Sequence, residues 1–225
     1  MPVTVPNYGP NVDVVLELPV APSPLTEFDA FSIMVRGSTT DPNNTSPNYI
    51  RLQCVNWSGT QLDAIGDALS FTQPDSYFWG DQVIPVTSGD AFGLRADGDT
   101  MTAYHRVSGV WSVLFSATPG YLGGSTLADS PQLRLAGWVG VYFGSAFNPG
   151  SFSGPQYDNF SVAEWTGTPP AFPAPATASD TGDHPDGTFL TVGGQWVQWF
   201  NLINNNLSNC VYPGAPEGTS TGSYQ

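Results

Sequence analysis

The chain has 225 residues, with 19 acids against 5 arginines and no lysine, and a formal charge of −14. Five scattered arginines offer no phosphate-neutralising patch, so nucleic acid is excluded as a direct partner and anionic membrane surfaces are disfavoured. With 25 Gly and 21 Pro, few strong helix formers and no apolar run of membrane-spanning length, a helical protein and membrane insertion are excluded too.

Met1–Pro6 has neither a basic nor an apolar signal region, so no signal peptide is expected. The Asn-x-Ser triplets at Asn56 and Asn159 are accordingly read as chance composition. Period-two alternation predicts strands at Val12–Leu18, Phe28–Arg36 and Asn48–Val55. Tyr77-Phe78-Trp79-Gly80-Asp81 follows the loop Gln73-Pro74-Asp75 and reads as an exposed aromatic group. Further strands are predicted at Asp90–Ala96, Thr100–Arg106 and Val110–Phe115, joined through Asp97-Gly98-Asp99 and Ser108-Gly109. Leu133–Phe143 and Tyr157–Trp165 complete the set. Short strands punctuated by turn residues predict an all-β antiparallel sandwich.

The chain divides near residue 165. Residues 1–27 form an N-terminal arm and first strand, 28–165 the sandwich, and 166–225 a Pro/Gly-rich C-terminal extension. The extension opens on Thr166–Pro175, an extended polyproline-like linker. Its aromatic stretch, with Trp196, Trp199 and Phe200, is too small for a domain and predicts packing on the sandwich or on a neighbouring subunit. The run Asn204–Asn209 reads as loop. Cys54 alternates with core-like residues and reads as a buried free thiol, although spacing alone does not decide whether it pairs with Cys210.

Three features, in order, carry a resemblance. They are Gly89-Asp90 before an alternating strand, the strands Thr100–Phe115 around a Gly turn, and Gly137-Trp-Val-Gly140 followed by Asp158-Asn159-Phe160. Residues 28–165 thereby resemble the concanavalin A-like jelly rolls, in their laminin-G-like and glucanase-like branch. Gly137 and Gly140 would allow close backbone approach, and Phe160 and Val162 would share one face. Such domains commonly begin with a strand that pairs with the closing Asp-Asn-Phe strand. Here either Val12–Leu18 takes that place or another chain completes the edge.

The glucanase-like branch implies a Glu-x-Asp-x-x-Glu strand, which Glu17, Glu27, Glu164 and Glu217 do not form, and Asp97 and Asp99 read as solvated turn residues. His105 is expected on an outward strand face, and His184 is the other histidine. No catalytic triad can be assembled, so no enzyme activity is expected. Ca2+ is the cofactor that the family's acidic loops would take. Asp180, Asp183 and Asp186 are the first candidates, Asp97 with Asp99 and Asp41 with Asn43 and Asn44 the others; none has the EF-hand spacing, and a solvated acidic loop is the preferred reading of each. Carbohydrate binding would use aromatic faces beside Asn and Asp side chains, which points to Trp57 with Asn56, and to Tyr77, Trp79 and Asp81. Core packing of those rings is the competing reading.

Lysine-free, acidic, Gly/Pro/Thr-rich chains of this type resemble virion proteins of phages infecting high-GC actinobacteria. That resemblance implies a minor tail or tail-tip protein, held by other virion proteins as a homo-oligomer, with trimers expected, and a host cell-surface glycan as ligand. The alternatives are a capsid decoration protein and a polysaccharide-degrading enzyme of the host envelope.

Overall fold

The computed structural model describes residues 8–20, 30–37, 48–56, 61–70, 73–120, 131–144, 156–180, 198–201 and 208–211. The strands in chain order are β1 (Val12–Val20), β2 (Ala30–Gly37), β3 (Tyr49–Asn56), β4 (Gln61–Ser70), β5 (Gln73–Pro85), β6 (Asp90–Asp97) and β7 (Thr100–Val107). They continue as β8 (Val110–Ala117), β9 (Trp138–Gly144), β10 (Gln156–Glu164), β11 (Ala178–Asp180), β12 (Gln198–Asn201) and β13 (Ser208–Val211). A six-stranded antiparallel sheet runs β11-β10-β1-β6-β7-β8, and a seven-stranded one runs β12-β13-β9-β2-β3-β4-β5. The all-β antiparallel sandwich expected from the alternation is the observed architecture.

Alternation decides which side chains meet between the sheets. Val12, Val14, Leu94, Met101 and Ala103 from one sheet join Ile33, Leu52, Cys54 and Leu62 from the other in one buried cluster. Phe31 and Phe92 meet edge-to-face across the interface at 5.1 Å. Burial of each such aliphatic side chain contributes about 1.5–3 kcal/mol. Cys54 is a free thiol at 0% exposure, as its place in the pattern predicts. Its thiol ionises well above the ordinary value, because burial disfavours the thiolate and Asp63 adds negative charge.

β1 pairs with β10 on one side and β6 on the other, so the closing strand finds its partner within the chain. Of the two expected ways to complete that edge, the chain uses Val12–Val20. The Gly137 backbone approaches β2 so closely that a Cβ there would sit 2.2 Å from the Gly37 carbonyl oxygen. Phe160 and Val162 both enter the core.

Four expectations are corrected. The segment read as one strand from Leu133 to Phe143 begins as a 3-10 turn at Pro131–Arg134, and only then becomes β9. The turn buries Leu133 and turns its carbonyl towards Arg36. β4 and β5 occupy a stretch where no strand was expected. Ser208 and Asn209, read as loop, lie in β13, where Asn209 pairs with Phe143 of β9. Thr166–Pro175, expected as an extended linker, bends at residues 167–168 and 171–173 and lies back along the six-stranded sheet, with Ala174 buried and Thr177 N–H donating to the Val162 carbonyl at 2.8 Å.

Arg36 joins four segments at one end of the sandwich. It is 2% exposed and donates to the carbonyls of Pro10, Leu133 and Gly98 at 2.5–3.2 Å. Burial lowers its pKa to about 10, partly offset by Asp99 and Asp97. Carbonyl dipoles thus solvate this buried cation.

Candidate functional site

The outward face of the seven-stranded sheet collects the chemistry. Core residues of β2 to β5 point inward, so their neighbours point outward, and the register sets these into rows. One row runs Met34, Arg51, Asp67, Phe78. The next runs Ser32, Gln53, Ile65, Asp81, and a third runs Val55, Asp63, Val83. The face therefore mixes an aromatic ring, an aliphatic fringe, an amide, a guanidinium and three carboxylates.

Arg51 and Asp67 form a two-pronged ion pair, Nε to Oδ1 at 2.6 Å and Nη2 to Oδ2 at 2.7 Å. This geometry fixes both planar groups with their edges aligned. The Arg51 guanidinium also lies 5.8 Å from the centre of the Tyr49 ring. Asp63 and Asp81 sit on diagonal positions of adjacent strands, a spacing at which side chains interact. Burial raises the Asp63 pKa, and the Asp81 charge raises it further. The Asp63 Oδ1 and the Ser32 Oγ are buried without a hydrogen-bond partner. Such atoms cost about 1–3 kcal/mol each.

The expected carbohydrate residues divide. Trp79 is corrected: it is 4% exposed, packs at 5.1 Å on Phe115, and donates its indole N–H to the Asp67 carbonyl at 3.2 Å. A bulge is the cause. Gly66 pairs with Gly80 and Asp67 with Phe78, so Trp79 is the extra residue and turns into the core. Its neighbour Phe78 is left outward and 44% exposed. Asp81 is exposed on the face, as expected. Asn56 ends β3, and Tyr77 pairs with Ala68 at the margin of the face. Trp57 lies outside the described residues.

Among the described residues no three His, Cys, Asp or Glu side chains gather as metal ligands. Asp180 pairs with Phe160 at the end of β11, and Asp183 and Asp186 lie outside the described residues. Asp99 is engaged by Arg134 at 2.5 and 2.7 Å beside its hairpin turn. Trp199 and Phe200 pair with Cys210 and Asn209 between β12 and β13, while Trp196 and His184 lie outside the described residues.

His105 is also corrected. It shares the inward side of β7 with Met101 and Ala103, stacks on Phe92 at 4.8 Å, and sits 3.0 Å from Asp90 through Nε2. Asp90 accepts from the Thr87 N–H at 2.9 Å and pairs with the Thr87 hydroxyl at 3.0 Å. This buried chain closes the turn before β6 and ties it to β7.

Phe78 lies within the exposed aromatic group expected at 77–81, whereas Asp63, Arg51 and Gln53 were not among the expected site residues. Asp63, Ile65 and Asp67 against Leu62, Ala64 and Ala68 was the signal for β4, hidden by the small residues between them. The sequence matches no protein-family model and no curated protein.

Proposed function

We propose that this protein is a non-enzymatic, lectin-like jelly roll of the concanavalin A-like kind, serving in a virion as a minor tail or tail-tip component. Its task there is assembly as a homo-oligomer and attachment to a host-surface glycan. The observation that carries the binding half is the face built on Phe78. An exposed ring lies beside the Arg51–Asp67 fork, Asp81, Asp63 and Gln53, which is the donor, acceptor and apolar mixture a sugar presents in reverse. The virion half rests on the lysine-free acidic composition, since such chains resemble phage virion proteins.

Two measurements test it. On an array of bacterial envelope glycans, the chain should bind a restricted set, and Phe78→Ala should weaken that binding about tenfold, the equivalent of ~1.4 kcal/mol. Equal binding by the variant refutes the assignment of this face. Immunogold labelling should decorate the distal tail of particles from the source; label over the head would replace the tail reading with capsid decoration.

One observation favours a second reading. Asp63, with its raised pKa, lies diagonal to Asp81, as an acid and its carboxylate partner would in a glycosidase. Release of reducing ends from an envelope polysaccharide, lost in both Asp63→Asn and Asp81→Asn, would establish it.

A further inference from the structure

At the outer margin of the seven-stranded sheet, β4 and β5 set their outward side chains into a chequerboard. Asp67 stands beside Phe78, Ile65 beside Asp81 and Asp63 beside Val83, so each carboxylate has apolar neighbours across and along the strands. Period two fixes the β4 half, and the bulge at Trp79 keeps Phe78 and Asp81 on one side of β5. Phe78 is 44% and Val83 55% exposed, and Asp81 is exposed between them.

The three carboxylates are not equivalent. Asp67 is neutralised by the Arg51 fork. Among the described residues Asp63 and Asp81 meet no arginine. The chain has no lysine, and its other four arginines are engaged elsewhere. Arg95 holds Asp13, Arg106 holds Glu17, Arg134 holds Asp99, and Arg36 is spent on main-chain carbonyls. Diagonal neighbours on adjacent strands stand about 7 Å apart, so one ammonium placed between Asp63 and Asp81 reaches both. Burial raises the Asp63 pKa and the Asp81 charge raises it further, a repulsion that a cation relieves and an anion increases.

We infer that this face selects glycans with free amino groups, seating a protonated amine between Asp63 and Asp81 while the apolar side of the sugar lies on Phe78. The inference rests on the reading of the face as carbohydrate-binding and names the class of sugar. An ammonium on a sugar ring is flanked by C–H groups, which match Phe78, Ile65 and Val83. Uronic acids and phosphate-bearing polymers meet two unneutralised carboxylates on a chain of charge −14, and are rejected. N-acetylation of the sugar removes the charge at the point of contact.

Glucosamine pentamers and N-acetylglucosamine pentamers are the probes, titrated against the full chain by calorimetry at pH 6, where the free amines are protonated. The amino pentamer should bind at least tenfold more tightly. Asp81→Asn should remove most of that preference. Asp97→Asn takes the same charge from the β6–β7 hairpin of the other sheet and should leave the preference intact. Equal binding of the two pentamers overturns the inference while the carbohydrate reading stands. Binding of neither overturns it too, and a silent envelope-glycan array would then remove the carbohydrate reading as well. An Asp81→Asn variant that keeps the preference, or an Asp97→Asn variant that loses it equally, refutes the seat between Asp63 and Asp81. Pentalysine bound as tightly as the amino pentamer would make this a site for basic peptides and overturn the inference.

Discussion

Replacing Asp13 with alanine removes the hub on which β1, β6 and the segment 166–175 converge, the last through the Ala174 N–H at 2.9 Å. The Asp13 side chain is 1% exposed and that of Arg95 11%, and they meet through two bonds of 2.7 Å each. Hydrogen bonding to Asp13 is the main cause of the raised Arg95 pKa, opposed by burial, which lowers it; without Asp13 the guanidinium loses that support yet stays charged near neutral pH, because arginine is so strongly basic. Asp13→Ala thus leaves a cation largely withdrawn from water and an Ala174 amide with no acceptor. Breaking a buried pair in this way costs about 3–5 kcal/mol. At about 2–4 °C per kcal/mol for a domain of this size, the melting temperature should fall by roughly 6–20 °C. Urea titration followed by tryptophan fluorescence gives the free energy, and circular dichroism the melting temperature. The double variant Asp13→Leu/Arg95→Met removes both charges and should cost less than Asp13→Ala alone. A cost below about 1 kcal/mol for Asp13→Ala, or a double variant equal to the sum of its singles, would refute the reasoning.

The remaining predictions concern the core, the thiol and one carboxyl. Leu52→Ala, at 0% exposure between the sheets, should cost about 2–5 kcal/mol by urea titration; less than 1 kcal/mol would mean the sheets are not packed there. In a Cys210→Ser background, Cys54 should resist a thiol reagent in native buffer and react at once in denaturant. The raised Cys54 pKa also fixes a sign: the unfolded thiol ionises near 9 and the folded one does not, so stability is full below pH 9 and falls above it. Cys54→Ala should flatten that fall. For Asp63 the folded chain holds a proton that the unfolded chain releases above 3.8, so this group lowers stability as pH rises through its folded pKa. Asp63→Asn should accordingly raise the melting temperature at pH 7, with the gain shrinking in acid; no gain would show that the carboxylate is solvated.

How much of this was legible depended on how local the deciding contacts were. β6, β7 and β8 are joined by two-residue turns that carry Gly98 and Gly109, so the order and extent of these three strands could be read from the sequence. β4 escaped because Gly66, two alanines and two aspartates blur its alternation, and β5 because Pro74 and the bulge at Trp79 break it. Losing two strands meant losing the face, and Trp79 was preferred to the ring beside it. His105 was misplaced for a different reason. Its parity with Met101 and Ala103 was available, but a histidine is read as polar until a buried partner such as Asp90 is known. The docking of Phe172 depends on Gly93 and Tyr104, which belong to strands remote in the chain, and no local pattern announces it.

The central place of β1 has a consequence for synthesis. Val12–Val20 leaves the ribosome early, yet both its neighbours, β6 and β10, come much later. At about 5–20 residues per second, β10 follows roughly 7–30 s behind β1. Through that interval Val12, Val14, Leu16 and Leu18, all buried in the finished sheet, are available to any other nascent strand on the same message.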